Sequence, residues 1–158
     1  MPSRRQLLAA LGSALAVGSA GCSGSGSGGS DTVDCRTGAV AHGDGDVLDG
    51  GAFARVEGSD VRVAVPLSVA DVEDRSIDEL RLYEAGGDLA HAIPVSPGDA
   101  DLMANKQGVG QGQLRYEQYV GRRPFHGRYR IVAVDREGDP VDSLTIEFNC
   151  FPEVSDQE

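Results

Sequence analysis

Gly127-Arg128-Tyr129-Arg130-Ile131-Val132-Ala133-Val134-Asp135 runs through Arg136-Glu137-Gly138-Asp139 into Pro140-Val141-Asp142-Ser143-Leu144-Thr145-Ile146-Glu147-Phe148-Asn149-Cys150. Two β-rich runs joined by a short glycine-containing loop are the expected signal of a hairpin. In the second run Leu144, Ile146, Phe148 and Cys150 fall on one face, so Cys150 is expected to point inward.

Working back along the chain, Val61, Val63, Val65, Leu67 and Val69 alternate with Arg62, Ala64, Pro66 and Ser68, the period of a half-buried strand. Pro66 donates no ladder hydrogen bond, which predicts a sheet edge or a bulge at that point. The stretch from Asp71 to Asp78 is charged and too short to announce a helix. Leu80 and Leu82 begin another strand, Gly86-Gly87-Asp88 turns it, and Leu89, His91, Ile93 and Val95 alternate back. His91 thus falls in an inward register, where a lone histidine reads as a core residue rather than a ligand. Residues 96–113 carry Pro97, Gly98, Gly108, Gly110 and Gly112. A phosphate-binding loop follows a strand and opens a helix, whereas Leu114, Tyr116 and Val120 alternate like a strand, so a mobile surface loop is expected.

About seven short strands separated by glycine and proline turns, with no strong helical period, predict an all-β fold. The expectation is a two-layer antiparallel β-sandwich over residues 33–152, with one core, no second domain and no internal repeat. Gly127-Arg128-Tyr129 is similar to the opening of the penultimate strand in immunoglobulin-like and fibronectin-like sandwiches, where a tyrosine ties a corner. The resemblance implies an immunoglobulin-like architecture and carries no information on activity.

The N-terminus has a separate meaning. Arg4 and Arg5 precede a run of mostly Leu and Ala from Leu7 to Val17, and Ser19-Ala20-Gly21-Cys22 closes it. These are the parts of a signal peptide. The run is shorter than the roughly 20 apolar residues that a membrane-spanning helix requires. The paired arginines followed by Gln6-Leu7-Leu8 resemble a twin-arginine export signal, and Ala20-Gly21-Cys22 resembles a lipobox. Together they are similar to the precursors of haloarchaeal lipoproteins, although Leu7 stands where Phe is commoner and Ser19 where Leu is commoner. That resemblance implies export of the folded chain, cleavage before Cys22, and a lipid on the Cys22 sulfur that anchors the protein at the extracellular face of the cell membrane. Residues 1–22 are then the signal, residues 23–32 a Gly/Ser-rich flexible linker, and residues 153–158 an acidic tail.

The chain carries 14 basic and 25 acidic residues. Arg4 and Arg5 lie before Cys22, so twelve basic residues face 25 acidic ones in the remainder, a net charge of −13. Lys106 is its only lysine. Concentrated salt shortens the Debye length to about 3 Å at 1 M and relieves such self-repulsion, so the surface reads as halophilic. The 40 % apolar content argues against disorder. Nucleic acid is excluded as a partner, because neutralising phosphates takes clustered Lys and Arg.

With Cys22 assigned to lipid, Cys35 and Cys150 remain as an even pair that brackets the domain in a disulfide-permissive compartment. Metal ligation is the alternative, but neither residue sits in a C-x-x-C or C-x-x-H spacing. After Cys35 comes Ala41-His42-Gly43-Asp44-Gly45-Asp46-Val47-Leu48-Asp49-Gly50-Gly51. Calcium wants oxygen ligands at alternating positions, and Leu48 occupies the third ligand place with no closing glutamate, so a solvated acidic turn is expected.

Nothing in the chain announces a reaction. Cys150-Phe151-Pro152 resembles the start of a blue-copper loop, yet Glu153 and Val154 follow where His and Met would be needed, and His42, His91, His126 and Met103 are scattered. There is no G-x-S-x-G and no nucleophile with a placed histidine. No catalytic residue, metal or cofactor is therefore assigned, and the protein is read as not an enzyme. One cluster runs against the acidic background: Arg122, Arg123, His126, Arg128 and Arg130 around Phe125, with Tyr116 and Tyr119 before it. Arg122, Arg123, Phe125 and His126 form a candidate contact patch for an acidic glycan or an envelope protein, since arginine forms bidentate pairs and stacks on aromatics. The competing account is that these arginines neutralise neighbouring acids and cover strand edges with their stems. The functional expectation is a membrane-anchored binding or protein-interaction module of the cell envelope. The alternative is a small exported redox or metal-binding carrier, or an envelope enzyme.

Overall fold

The computed structural model describes residues 32–106 and 108–151. The export arginines, Cys22, nearly all of the linker and the acidic tail lie outside the described residues. Among the described residues nine strands and two short helices follow one another as β1 (Thr32–Asp34), β2 (Arg36–His42), β3 (Phe53–Glu57), β4 (Asp60–Ser68), α1 (Val69–Asp74), β5 (Ile77–Glu84), β6 (Leu89–Pro94), α2 (Asp99–Met103), β7 (Gln113–Arg122), β8 (Phe125–Asp135) and β9 (Pro140–Cys150).

They form a two-layer antiparallel β-sandwich. The back sheet has the order β1-β3-β4-β7 and the front sheet β2-β9-β8-β5-β6. The chain crosses between layers after β1, β2, β4, β6 and β7, so that β7 returns beside β4 and β8 beside β5. This is the Greek-key arrangement of immunoglobulin-like sandwiches. Alternation explains the core: Val61, Val63, Val65 and Leu67 of β4 are buried against Leu80, Leu82, Ile131, Leu144, Ile146 and Phe148 of the front sheet. The terminal hairpin pairs as its sequence implied, with Ile131 opposite Leu144 and Tyr129 opposite Ile146.

Cys35 and Cys150 are joined in a disulfide with their Cα atoms 4.8 Å apart. The bond sits where the chain leaves β1 in the back sheet for β2 in the front sheet. Cys35 N donates to Ala54 O of β3 at 2.9 Å, while Arg36 already stands opposite Asn149 of β9. The covalent clasp thus fixes the crossover between layers.

Several expectations are corrected. β4 is an interior strand and its bulge lies between Val61 and Arg62 rather than at Pro66. Pro66 is tolerated because β3 pairs β4 only as far as Ala64, leaving β7 as its sole neighbour strand there. Val69 opens α1 instead of ending the strand, and the Ser68 hydroxyl caps that helix by accepting the Asp71 N–H at 3.0 Å. Leu89 is 53 % exposed, because a register shift between Leu82 and Tyr83 places it opposite Tyr83, on the outer face. His91 stands opposite the buried Leu82, its ring centroid 6.4 Å from that of Tyr129.

The stretch 96–113 is tied down rather than loose. It contains α2, whose Met103 is buried, and the Met103 sulfur accepts the Arg115 N–H at 3.2 Å. Tyr116 fastens the same connection: its hydroxyl donates to Asp99 Oδ2 at 2.7 Å and accepts the Ser96 N–H at 3.1 Å. Burial, with Asp99 adding to it, raises the Tyr116 hydroxyl far above its ordinary pKa. The tyrosine that ties a corner is therefore Tyr116, while Tyr129 stacks on Phe148 at 6.1 Å within the core.

The loop after β2 is the largest departure. Val47 and Leu48 are each 2 % exposed and belong to the core. Asp142, 7 % exposed, accepts the N–H of Leu48 at 2.8 Å and of Gly45 at 3.1 Å. Glycine is required at position 45, since a Cβ there would lie 2.7 Å from the Val141 carbonyl oxygen. The apolar pair that interrupts the calcium-like spacing is what plugs the sandwich, so the segment is no solvated turn.

Candidate functional site

Strand pairing assembles a surface that is dispersed in the sequence. Asn149 of β9 stands between Arg36 of β2 and His126 of β8, and Glu147 stands between Gly38 and Arg128. Thr145 follows beside Arg130, which itself pairs with Tyr83 of β5. Since Tyr129, Ile131, Ile146 and Phe148 fill the interior, these alternate residues lie on the outer face of the front sheet.

That face holds a shallow cavity of about 670 Å³ between Arg36, Gly38, Val40, His126, Arg128 and Glu147. Much of its lining is apolar, because the β2 segment contributes glycine, alanine and valine. Gly38 is open, with nothing within 4 Å of where a Cβ would stand. A second hollow of about 450 Å³ continues along the same face beyond Arg130, between Gly43, Val132, Pro140 and Ser143.

The charges on this face are unevenly partnered. Arg128 is held by Glu147 at 2.8 Å. Arg130 lies over the Tyr83 ring, 5.1 Å from its centroid, and Arg36 makes no ion pair among the described residues. On β2, β9 and β8 this leaves three arginines and His126 around one glutamate, an excess of positive charge on an acidic body.

The patch expected from sequence separates into parts. Arg122, at the end of β7, approaches Asp60 at 3.9 Å. The Arg123 N–H donates to Ser59 O at 3.0 Å. Phe125 turns inward, stacks on Phe148 at 5.7 Å between ring centroids, and fills the space beside Gly121. Of the four, His126 alone lines the larger cavity. The residues missed were Arg36, Gly38 and Val40, which lie far from the arginine cluster in sequence and join it only through the β2–β9–β8 register. The clue was Cys150, whose expected bond to Cys35 places Arg36 at the end of the last strand.

Other chemistry-bearing groups stay apart. His42, His91 and His126 belong to β2, β6 and β8. One carboxylate group does converge in the β8–β9 turn, where Asp135, Glu137 and Asp139 offer oxygens within 4.8 Å of one another. Asp135 Oδ1 there accepts the N–H groups of Glu137 and Asp139, each at 2.9 Å, which is how the turn is held. No helix among the described residues is long and apolar enough to cross a membrane. No protein-family model, curated protein or solved structure matches the chain.

Proposed function

We propose that the chain is an exported lipoprotein, tethered to the cell membrane through Cys22, whose β-sandwich binds an acidic envelope protein with the outer face of its front sheet. The observation that carries this is the gathering of Arg36, His126 and Arg128 with Glu147 around an apolar-floored cavity, with Arg130 bordering the adjoining hollow, in a chain whose residues 23–158 carry a net charge of −13. Charged groups around an apolar concavity are the usual makeup of a recognition site, and arginine contributes planar, bidentate contacts to carboxylates. The Cys35–Cys150 disulfide supports the export part, since such bonds persist in oxidising compartments. A halophilic setting accords with the acidic surface.

Two measurements test it. Intact mass of the protein recovered from its own membranes is expected to begin at Cys22 and to include lipid; an unprocessed, unlipidated N-terminus overturns the tether. Capture from the same membranes with the lipidated protein is then compared with the double variant Arg36→Gln, Arg130→Gln. The variant is expected to lose an acidic partner that the parent retains. An identical captured set overturns the binding face.

A further inference from the structure

We infer that the partner docks on the free edge of β2 as an added acidic strand. This rests on the assignment of the front face as the binding surface. Four strands bound the two sheets, namely β1, β7, β2 and β6. Sheet edges invite pairing with other chains, and proteins blunt them with shortness, proline or charge. β1 has only three residues, β6 ends in Pro94, and β7 carries Arg115, Glu117 and Arg122. β2 reads Thr37-Gly38-Ala39-Val40-Ala41 between Arg36 and His42, small and uncharged for five consecutive positions.

This edge is open in the backbone as well. Among the described residues β2 pairs with β9 alone, and no further backbone hydrogen bond reaches residues 38–42. Those residues are exposed on both faces, Val40 by 49 %. The register passes from Ala39 opposite Ile146 to Ala41 opposite Thr145, so Val40 is a bulged residue with no partner position on β9. Its side chain lines the cavity instead of covering the edge.

Charge selects the occupant. A strand laid beside β2 sends alternate side chains over the front face, where Arg36 is the nearest cation and the Arg128 and Arg130 row of β8 lies three strand spacings from the added strand, about 14 Å. An acidic residue of that strand meets the Arg36 guanidinium, which makes no ion pair among the described residues, while a small apolar residue on the alternate face covers Ala39. A second copy of this chain presents on its own β2 edge Arg36 and His42 around five uncharged residues and no carboxylate, a poorer complement. Added-strand binding also suits concentrated salt, where long-range attraction is screened within about 3 Å at 1 M and recognition depends on contact.

The test titrates the full chain with a blocked Glu-Val-Glu-Val-Glu-Val peptide, its Lys-Val counterpart, and two forms N-methylated on one or the other alternate set of peptide nitrogens. Amide hydrogen exchange is followed throughout. The acidic peptide is expected to bind at least about tenfold tighter than the lysine one and to slow exchange within residues 38–42. One methylated form is expected to lose at least about tenfold in affinity and the other to retain it, because only one edge of an added strand faces β2. Val40→Pro, at the position outside the β9 ladder, is expected to weaken binding as the methyl groups do. Equal binding by both methylated forms, with Arg36→Gln still weakening it, overturns strand addition and leaves the front-face assignment standing. Binding insensitive to both methylation and Arg36→Gln overturns the two together. Failure of every peptide, or protection of β2 by self-association without peptide, overturns strand addition.

Discussion

Asp142 Oδ2 accepts the backbone N–H of Leu48 at 2.8 Å across 94 residues of sequence. The same carboxylate takes the Gly45 N–H through its other oxygen at 3.1 Å, so one buried anion secures the loop between β2 and β3 to the last strand. Asp142→Ala removes the acceptor of three N–H groups, those of Gly45, Leu48 and Ser143. Hydrogen bonds to charged groups contribute about 1.5–3 kcal/mol each and are not additive, so a loss of roughly 2–4 kcal/mol is expected in urea unfolding at fixed salt. A change below about 0.5 kcal/mol, the range of ordinary surface substitutions, contradicts this role.

Leu48 separates a core plug from a solvated turn. Leu48→Ala is expected to cost about 2–5 kcal/mol, the range for truncating a fully buried leucine. Asp44→Asn, at an exposed position of the same loop, is expected to fall within about 0.5 kcal/mol of the parent. Comparable effects of the two on the denaturation midpoint speak against the plug.

The Cys35–Cys150 bond closes a loop with a sequence separation of 115. The chain-entropy model assigns such a crosslink roughly 4–5 kcal/mol as an upper figure. Cys35→Ser with Cys150→Ser is expected to lower unfolding free energy by about 2–5 kcal/mol, and reductant is expected to bring the parent to the same value while leaving the double variant unchanged. A parent indifferent to reductant contradicts the clasp.

Alkaline pH reports on the tyrosines. Burial raises the hydroxyls of Tyr116 and Tyr129 above the ordinary value of 10.0, with Asp99 adding to the first and Glu84 to the second. The unfolded chain ionises first as pH climbs, so it binds fewer protons than the native state and stability falls from about pH 10 upward. Below that value the contribution is fully present. Tyr116→Phe and Tyr129→Phe are each expected to flatten the decline in unfolding free energy between about pH 10 and 11, even though Tyr116→Phe also loses its bonds to Asp99 and Ser96. An unchanged slope in both variants contradicts the buried hydroxyls.

Those parts of the sandwich that bury one face of a strand were legible in the sequence. Val61, Val63, Val65 and Leu67 show it in β4, as do Leu144, Ile146 and Phe148 in β9, because alternation records which side meets the core. β2 was not legible for the complementary reason: exposed on both faces from Gly38 to Ala41, it has no period to read. Val47 and Leu48 are core residues without a strand, so no periodicity marks them. The arginine cluster was visible only as a run along the chain. In space, alternation sends Phe125 inward and His126 outward, Arg122 remains on the back sheet, and Arg36 joins from the opposite end of the sequence. A linear cluster on a strand is divided between two faces, and only the pairing register shows which residues reunite.

Amide hydrogen exchange of the full chain on its native membranes, compared with the purified protein in the same salt, tests the binding face most directly. Protection gained on the membrane is expected to concentrate in β2 and the adjoining halves of β9 and β8, around Arg36, Gly38 and His126. Protection confined to the back sheet or to β6, or no difference between the two samples, contradicts the assignment of the front face as the surface through which this protein works.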